Sequence, residues 1–114
     1  MVGYIPKKGD IVWLNFEPST GKEIIKRRPA LTLSPSYYNR SGLAWFCPIT
    51  STLNKNSNLN VYISGEKVFG TILIDQIKSF DWRSREIVFI DKASQDIIDK
   101  AIENIKLVLE AEEL

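Results

Sequence analysis

The apolar runs of this chain are short, and their length limits the fold more than any other feature. "GDIVWLNFEP" (9–18) opens on a Gly-Asp turn, passes through branched and aromatic residues, and stops at Pro18, as a strand does. "PALTLSP" (29–35) is a second strand bracketed by prolines. "LAWFCPIT" (43–50) is a third, expected to end near Pro48 because proline cannot donate to a central ladder. "LNVYIS" (59–64), "GTILID" (70–75) and "EIVFID" (86–91) follow, with "SFDWRSR" (79–85) read as the turn between the last two. Many short strands at this spacing predict a small barrel or a pair of packed sheets. From Ser94 the pattern changes. Ser94 can cap a helix, and Ile97, Ile98, Ala101, Ile102, Ile105, Val108 and Leu109 then recur at the helical period. That stripe is expected to pack on the sheet or on a second subunit.

One domain over residues 1–114 is expected at this length. No run approaches the ~20 apolar residues of a membrane span, and the first residues lack a signal peptide's charged and apolar regions, so a cytoplasmic protein is expected. The single cysteine, Cys47, excludes an internal disulfide, and the lack of any histidine excludes His-based zinc sites and acid–base pairs. A net charge of +1 hides a division: residues 1–85 carry +6 and residues 86–114 carry −5. That suits either one anion-binding face or merely a solvated acidic helix.

Three stretches can carry chemistry. In "EIIKRRPALTLSP" (23–35), Pro29 biases Arg28 to an extended backbone, so its guanidinium enters the strand with a fixed direction suited to bidentate phosphate binding. Lys26 and Arg27 sit beside it in what reads as a mobile loop, able to follow a phosphate backbone; the alternative is three exposed cations flanking a strand. In "CPITSTLN" (47–54), Thr50, Ser51 and Thr52 leave a strand, where hydroxyls either donate to phosphoryl oxygens or simply make a turn. In "DQIKSFDWRSR" (75–85), Asp75 and Gln76 follow an apolar run, and Lys78, Trp82, Arg83 and Arg85 interleave cations with an aromatic, which suits stacking on single-stranded bases or a polar hairpin over the core. Phe16, Trp13 and Trp45 are assigned to the core.

Five blocks in one order, "GDIVWLNFEPSTGKE" (9–23), "RPALTLSPSYYN" (28–39), "CPITS" (47–51), "SGE" (64–66) and "DQIKSFDWRSR" (75–85), together resemble the MazF/PemK (Kid) family of toxin endoribonucleases, its enterobacterial MazF branch most closely. The resemblance implies a mainly β chain with a C-terminal α-helix, a small SH3-like β-barrel of the CcdB/Kid/MazF type. It implies a homodimer that cleaves single-stranded RNA at selected sequences without a metal or other cofactor, leaving a 2′,3′-cyclic phosphate and a 5′-hydroxyl. A cognate antitoxin with an acidic C-terminal segment would cover the RNA groove, operator DNA would be met only through that antitoxin, and no membrane is involved. Arg28 and Thr50 match the branch's catalytic pair, and Glu23 its loop glutamate. RNA contacts fall to Lys26, Arg27, Ser51, Asp75, Gln76, Lys78, Trp82 and Arg83. Where the Kid branch has a histidine and an arginine, Lys22 and Leu73 stand here, so that branch's catalytic set does not transfer.

On this reading Arg28, whose pKa is too high for a base, stabilises the phosphorane and can relay a proton to the leaving oxygen. Thr50 orients the phosphate. Glu23 is either the general base or a base-recognition contact. A gyrase-poisoning toxin of the CcdB type and a non-catalytic RNA-binding SH3-like module are the competing readings.

Overall fold

β1 (Asp10–Asn15) lies between two antiparallel neighbours, β2 (Arg27–Thr32) and β7 (Val88–Lys92). The computed structural model describes residues 3–16, 27–52 and 57–114. β2 pairs in turn with β3 (Leu43–Thr50), the longest strand, which is shared by two partners on its far edge. β6 (Lys78–Asp81) takes its first half, from Leu43 to Phe46, and β5 (Phe69–Ile72) its last two residues. β4 (Val61–Ser64) closes the order β4-β5-β3-β2-β1-β7. The sheet wraps as a half-barrel. A four-residue helix, α1 (Ser36–Asn39), bridges β2 and β3, and α2 (Gln95–Glu110) ends the fold.

The alternation of apolar residues builds a core on each side of the sheet. Val12, Leu14, Ala30, Ala44, Phe46, Phe80 and Trp82 form one. Ile11, Leu31, Cys47, Ile49, Val61, Ile63, Ile72 and Ile74 form the other, which α2 covers with Ile98 and Ala101. Ser94 caps α2 as its sequence predicts, accepting from the Ile97 N–H at 3.3 Å. Burying Ile98, 4% exposed, contributes about 2 kcal/mol to that docking. Ile97, Ile102 and Ile105 pack at its margin, whereas Leu107, Val108 and Leu109 in the last turns are exposed. No helix among the described residues is long and apolar enough to cross a membrane.

Four expectations change. The stretch read as a turn at 79–85 contains β6, because Ala44 and Phe46 of β3 present an apolar edge that Phe80 joins. β3 does not stop at Pro48 but runs on to Thr50; Pro48 falls where β3 exchanges β6 for β5, a point at which a ladder can lack a donor. β2 begins two residues before Pro29, so Arg27 belongs to the sheet, opposite Asn15, and not to a loop. Finally, Trp13 and Trp45 are not core residues: they are 37% and 46% exposed. Phe16 does pack against the core, edge to face with Phe80.

Buried polar groups stiffen the end of the barrel remote from Thr50. The Asn39 side chain donates to Pro6 O at 2.7 Å and Ser34 O at 2.9 Å and accepts from the Ser34 hydroxyl. The Asn39 backbone carbonyl takes the Trp82 indole N–H at 2.8 Å. Asp10, also buried, accepts from the Tyr4 hydroxyl and from the Lys7 N–H and pairs with Lys92 at 3.4 Å. Burial first, then the Asp10 carboxylate, pushes the Tyr4 phenol far above its ordinary pKa, so it stays a donor.

Candidate active site

The start of β2, the end of β3 and the start of β5 meet at one end of the sheet. The β2–β3 register sets Ala30 opposite Pro48 and Leu31 opposite Cys47, and Arg28 and Thr50, each two residues beyond the last pair, line the same hollow at that end. On its other edge Arg28 faces Leu14 of β1. A concavity of about 430 Å³ opens there, a volume ordinary for a small-ligand site. Arg28, Thr50, Ser51 and Lys67 supply its polar wall, and Trp13, Pro29, Ile49, Val68 and Phe69 its apolar one. None of these residues is acidic. The Arg27 guanidinium sits 5.7 Å from the centre of the Trp13 ring, which adds a third cation, at the rim.

Thr50 is held from two sides. Its Oγ1 lies 3.1 Å from Thr52 Oγ1 and accepts from the Thr52 N–H at 3.4 Å. The Thr71 hydroxyl on β5 anchors the turn by donating to Thr52 O at 2.9 Å. When Thr52 is the donor, the Thr50 proton is available to a phosphoryl oxygen in the concavity. The backbone is clamped as well. Gly70, at φ +136°, lies so close to β3 that a Cβ there would stand 1.9 Å from the Thr50 carbonyl oxygen. Only glycine meets both demands.

The concavity thus brings together Arg28, Thr50 and Ser51, with Arg27 at its edge. Glu23 and Lys26 lie outside the described residues, as does most of the loop that holds them. Asp75 and Gln76 are exposed in a one-turn 3₁₀ segment after β5, pinned by the Leu73 N–H to Pro48 O at 2.9 Å, and they do not line the concavity. Burial, and then the Asp75 charge, pushes the Cys47 thiol up to about 12, so Cys47 is no nucleophile at neutral pH. Lys78 stands on β6 with its ammonium 5.4 Å from the Phe80 ring. Arg83 folds back against Trp82 and donates to Arg40 O at 3.1 Å, near the first residue of β3 and so about 20 Å from Thr50 along that strand.

Trp82 must be withdrawn as a stacking residue. It is 5% exposed, its indole N–H is satisfied by Asn39, and its ring belongs to the core. Conversely, Trp13, Lys67 and Phe69 line the concavity, and sequence reasoning missed all three. A signal existed for the last two: "KVFG" (67–70) places a cation and an aromatic directly before a glycine at the head of a strand, where glycine marks close backbone approach.

A half-barrel with cations, hydroxyls and two aromatic rings gathered at its strand ends is a protein shaped for a chain that carries both phosphates and flat rings. More specifically, the chain belongs to the PemK-like, MazF-like toxin family of type II toxin–antitoxin systems, whose family model matches residues 7–109. It is 39% identical over 82 residues to the endoribonuclease toxin MazF of Escherichia coli K12, covering 72% of this chain and 74% of that protein. To the endoribonuclease toxin ChpB of the same organism it is 30% identical, over 91% of this chain and 94% of ChpB. Among solved structures, MazF in a MazE–MazF crystal from Deinococcus radiodurans is 38% identical with a TM-score of 0.87, covering 96% of this chain and 100% of that one.

Proposed function

We propose that the chain is the toxin of a type II toxin–antitoxin system, an endoribonuclease that cleaves single-stranded RNA at selected sequences and so halts translation. The observation that carries this is the meeting of Arg28 and Thr50, on facing strands, in one cationic concavity. The competing readings, a gyrase poison and a passive RNA-binding module, lose to relatives that are named endoribonucleases. The RNA's own 2′-hydroxyl attacks the adjacent phosphate, the bond to the 5′-oxygen breaks, and a 2′,3′-cyclic phosphate and a 5′-hydroxyl remain. Arg28 places its planar fork on the phosphoryl oxygens where charge accumulates in the phosphorane, and it relays a proton to the leaving 5′-oxygen. Thr50 donates its hydroxyl to the same group and fixes its orientation. Glu23 takes the proton of the 2′-hydroxyl or reads a base. Arg27, Lys26 and Ser51 hold the flanking backbone, while Asp75, Gln76, Lys78 and Arg83 lie outside the concavity, on surfaces that a longer RNA can reach.

No step in this scheme needs a metal. With no histidine in the chain, an external water would be hard to activate, whereas an internal nucleophile is already in position. Cleavage of a long RNA is therefore expected to proceed unchanged in EDTA, and a single 2′-deoxy nucleotide 5′ to the cut is expected to stop it while the strand still binds as a competitive inhibitor. Rescue of an EDTA-silenced reaction by Mg²⁺, or cutting at the deoxy position, would require a different mechanism.

The partners are a cognate antitoxin, whose acidic C-terminal segment covers the cationic concavity, and a second copy of the chain. Leu107, Val108 and Leu109, exposed at the end of α2, are suited to that second copy. Sedimentation at working concentration should give about twice the chain mass of 13.0 kDa, and a fully active monomer would refute the dimer. The cytoplasm, where RNA and antitoxin are made, is the proposed location.

A further inference from the structure

We propose that Phe69 is the base-stacking residue of the site and sets which base is accepted beside the phosphate held by Arg28 and Thr50, with Lys67 on the neighbouring phosphate. This rests on the nuclease reading above. Phe69 opens β5, in which the other three residues are buried, yet its own side chain is 64% exposed. A large ring left in water on an ordered strand gains most from a flat partner. Two features hold it in place. β5 pairs with β4 through Phe69 and Ser64, and the next residue, Gly70, is pressed against the Thr50 carbonyl. The Phe69 backbone therefore cannot shift without moving Thr50. Phe69 and Thr50 line one concavity, and Lys67, two residues before the ring, lines it as well. An aromatic face, an ammonium and a guanidinium around one hollow match the parts of a nucleotide: a π-surface flanked by phosphates. Stacking on a single ring favours larger bases, so Phe69 contributes preference as well as affinity.

The test uses the full chain and a short fluorescein-labelled single-stranded RNA spanning one mapped cut site, made uncleavable by a 2′-deoxy nucleotide 5′ to the cut. Phe69→Ala should raise its Kd about tenfold, while Phe69→Trp keeps wild-type affinity. On the cleavable strand, the single-turnover rate of Phe69→Ala at saturation should stay close to wild type, a loss in binding rather than in chemistry. An abasic residue walked along the strand should find one position that costs the wild type as much as the substitution does and costs Phe69→Ala nothing more. Lys67→Ala should lower the salt slope of binding by about one. Abasic penalties that add to Phe69→Ala at every position, a Phe69→Trp as weak as the alanine, or a Phe69→Ala that sediments as a smaller species than wild type would each overturn the stacking role. A wild-type chain that cuts RNA while Phe69 stays uncoupled defeats this inference alone. One that neither binds nor cuts RNA defeats the nuclease reading and this inference with it.

Discussion

Replacing Arg28 by alanine is expected to lower the single-turnover cleavage rate by about 10³-fold or more, with the unfolding midpoint little changed. The side chain is exposed at the head of β2, and its loss removes no core contact, so the stability cost stays within about 0.5 kcal/mol. The rate cost is large because the charge on the phosphorane has few other partners in the described concavity. Thr50 and Ser51 donate only as neutral hydroxyls, and Lys67 is a point charge on a flexible stem. Arg28→Lys should recover charge but not the two-pronged geometry, and so only part of the rate. Arg27 supplies the internal control. It is adjacent in sequence and in the same strand, but it packs on the Trp13 ring. Arg27→Ala should raise KM several-fold and lower the salt slope by about one, leaving the saturated rate near wild type. Equal losses at both positions would mean that both arginines are general backbone contacts.

Gly70→Ala is expected to be the most damaging methyl group that can be added near the site. The Cβ would stand 1.9 Å from Thr50 O and 2.9 Å from its carbonyl carbon, both backbone atoms that cannot rotate away, at a φ of +136° that alanine resists. Steric displacement and dihedral strain together should cost about 3 kcal/mol or more. In a chain of this size that lowers the unfolding midpoint by more than about 10 °C. Whatever fraction folds must part β5 from β3 at Thr50, so cleavage measured per folded molecule should fall too. Measuring both quantities on one preparation separates the effects. A variant with wild-type midpoint and rate would show that the β3–β5 approach near Thr50 is looser than described. The same substitution at Gly3, where nothing lies within 4 Å, should be silent.

What the sequence determined by itself was local or carried in whole blocks. The helix cap at Ser94, the stripe through Ile98 and Ala101, and most of the strands follow from periodicities of 3.6 and 2 that neighbouring residues impose on one another. Arg28 and Thr50 were legible because each sits in a motif with a proline that fixes its place, and the blocks together resembled one family. Tertiary structure alone decided which aromatic faces water. Trp13 lies in an apolar run and Trp82 beside Arg83, yet Trp82 enters the core because Asn39, 43 residues away, accepts its N–H, and Trp13 meets solvent because β1 ends beside the concavity. The strand at Lys78–Asp81 was likewise invisible, since its apolar partner edge is supplied by Ala44 and Phe46, far off in the chain. The place of Lys67 and Phe69 beside Thr50 depends on a β3–β5 contact that closes only when Gly70 meets a carbonyl 20 residues before it. A one-dimensional pattern records which residues prefer burial and which conformations the backbone prefers. It does not record which two distant strands will share an edge, and the walls of this site are made at such an edge.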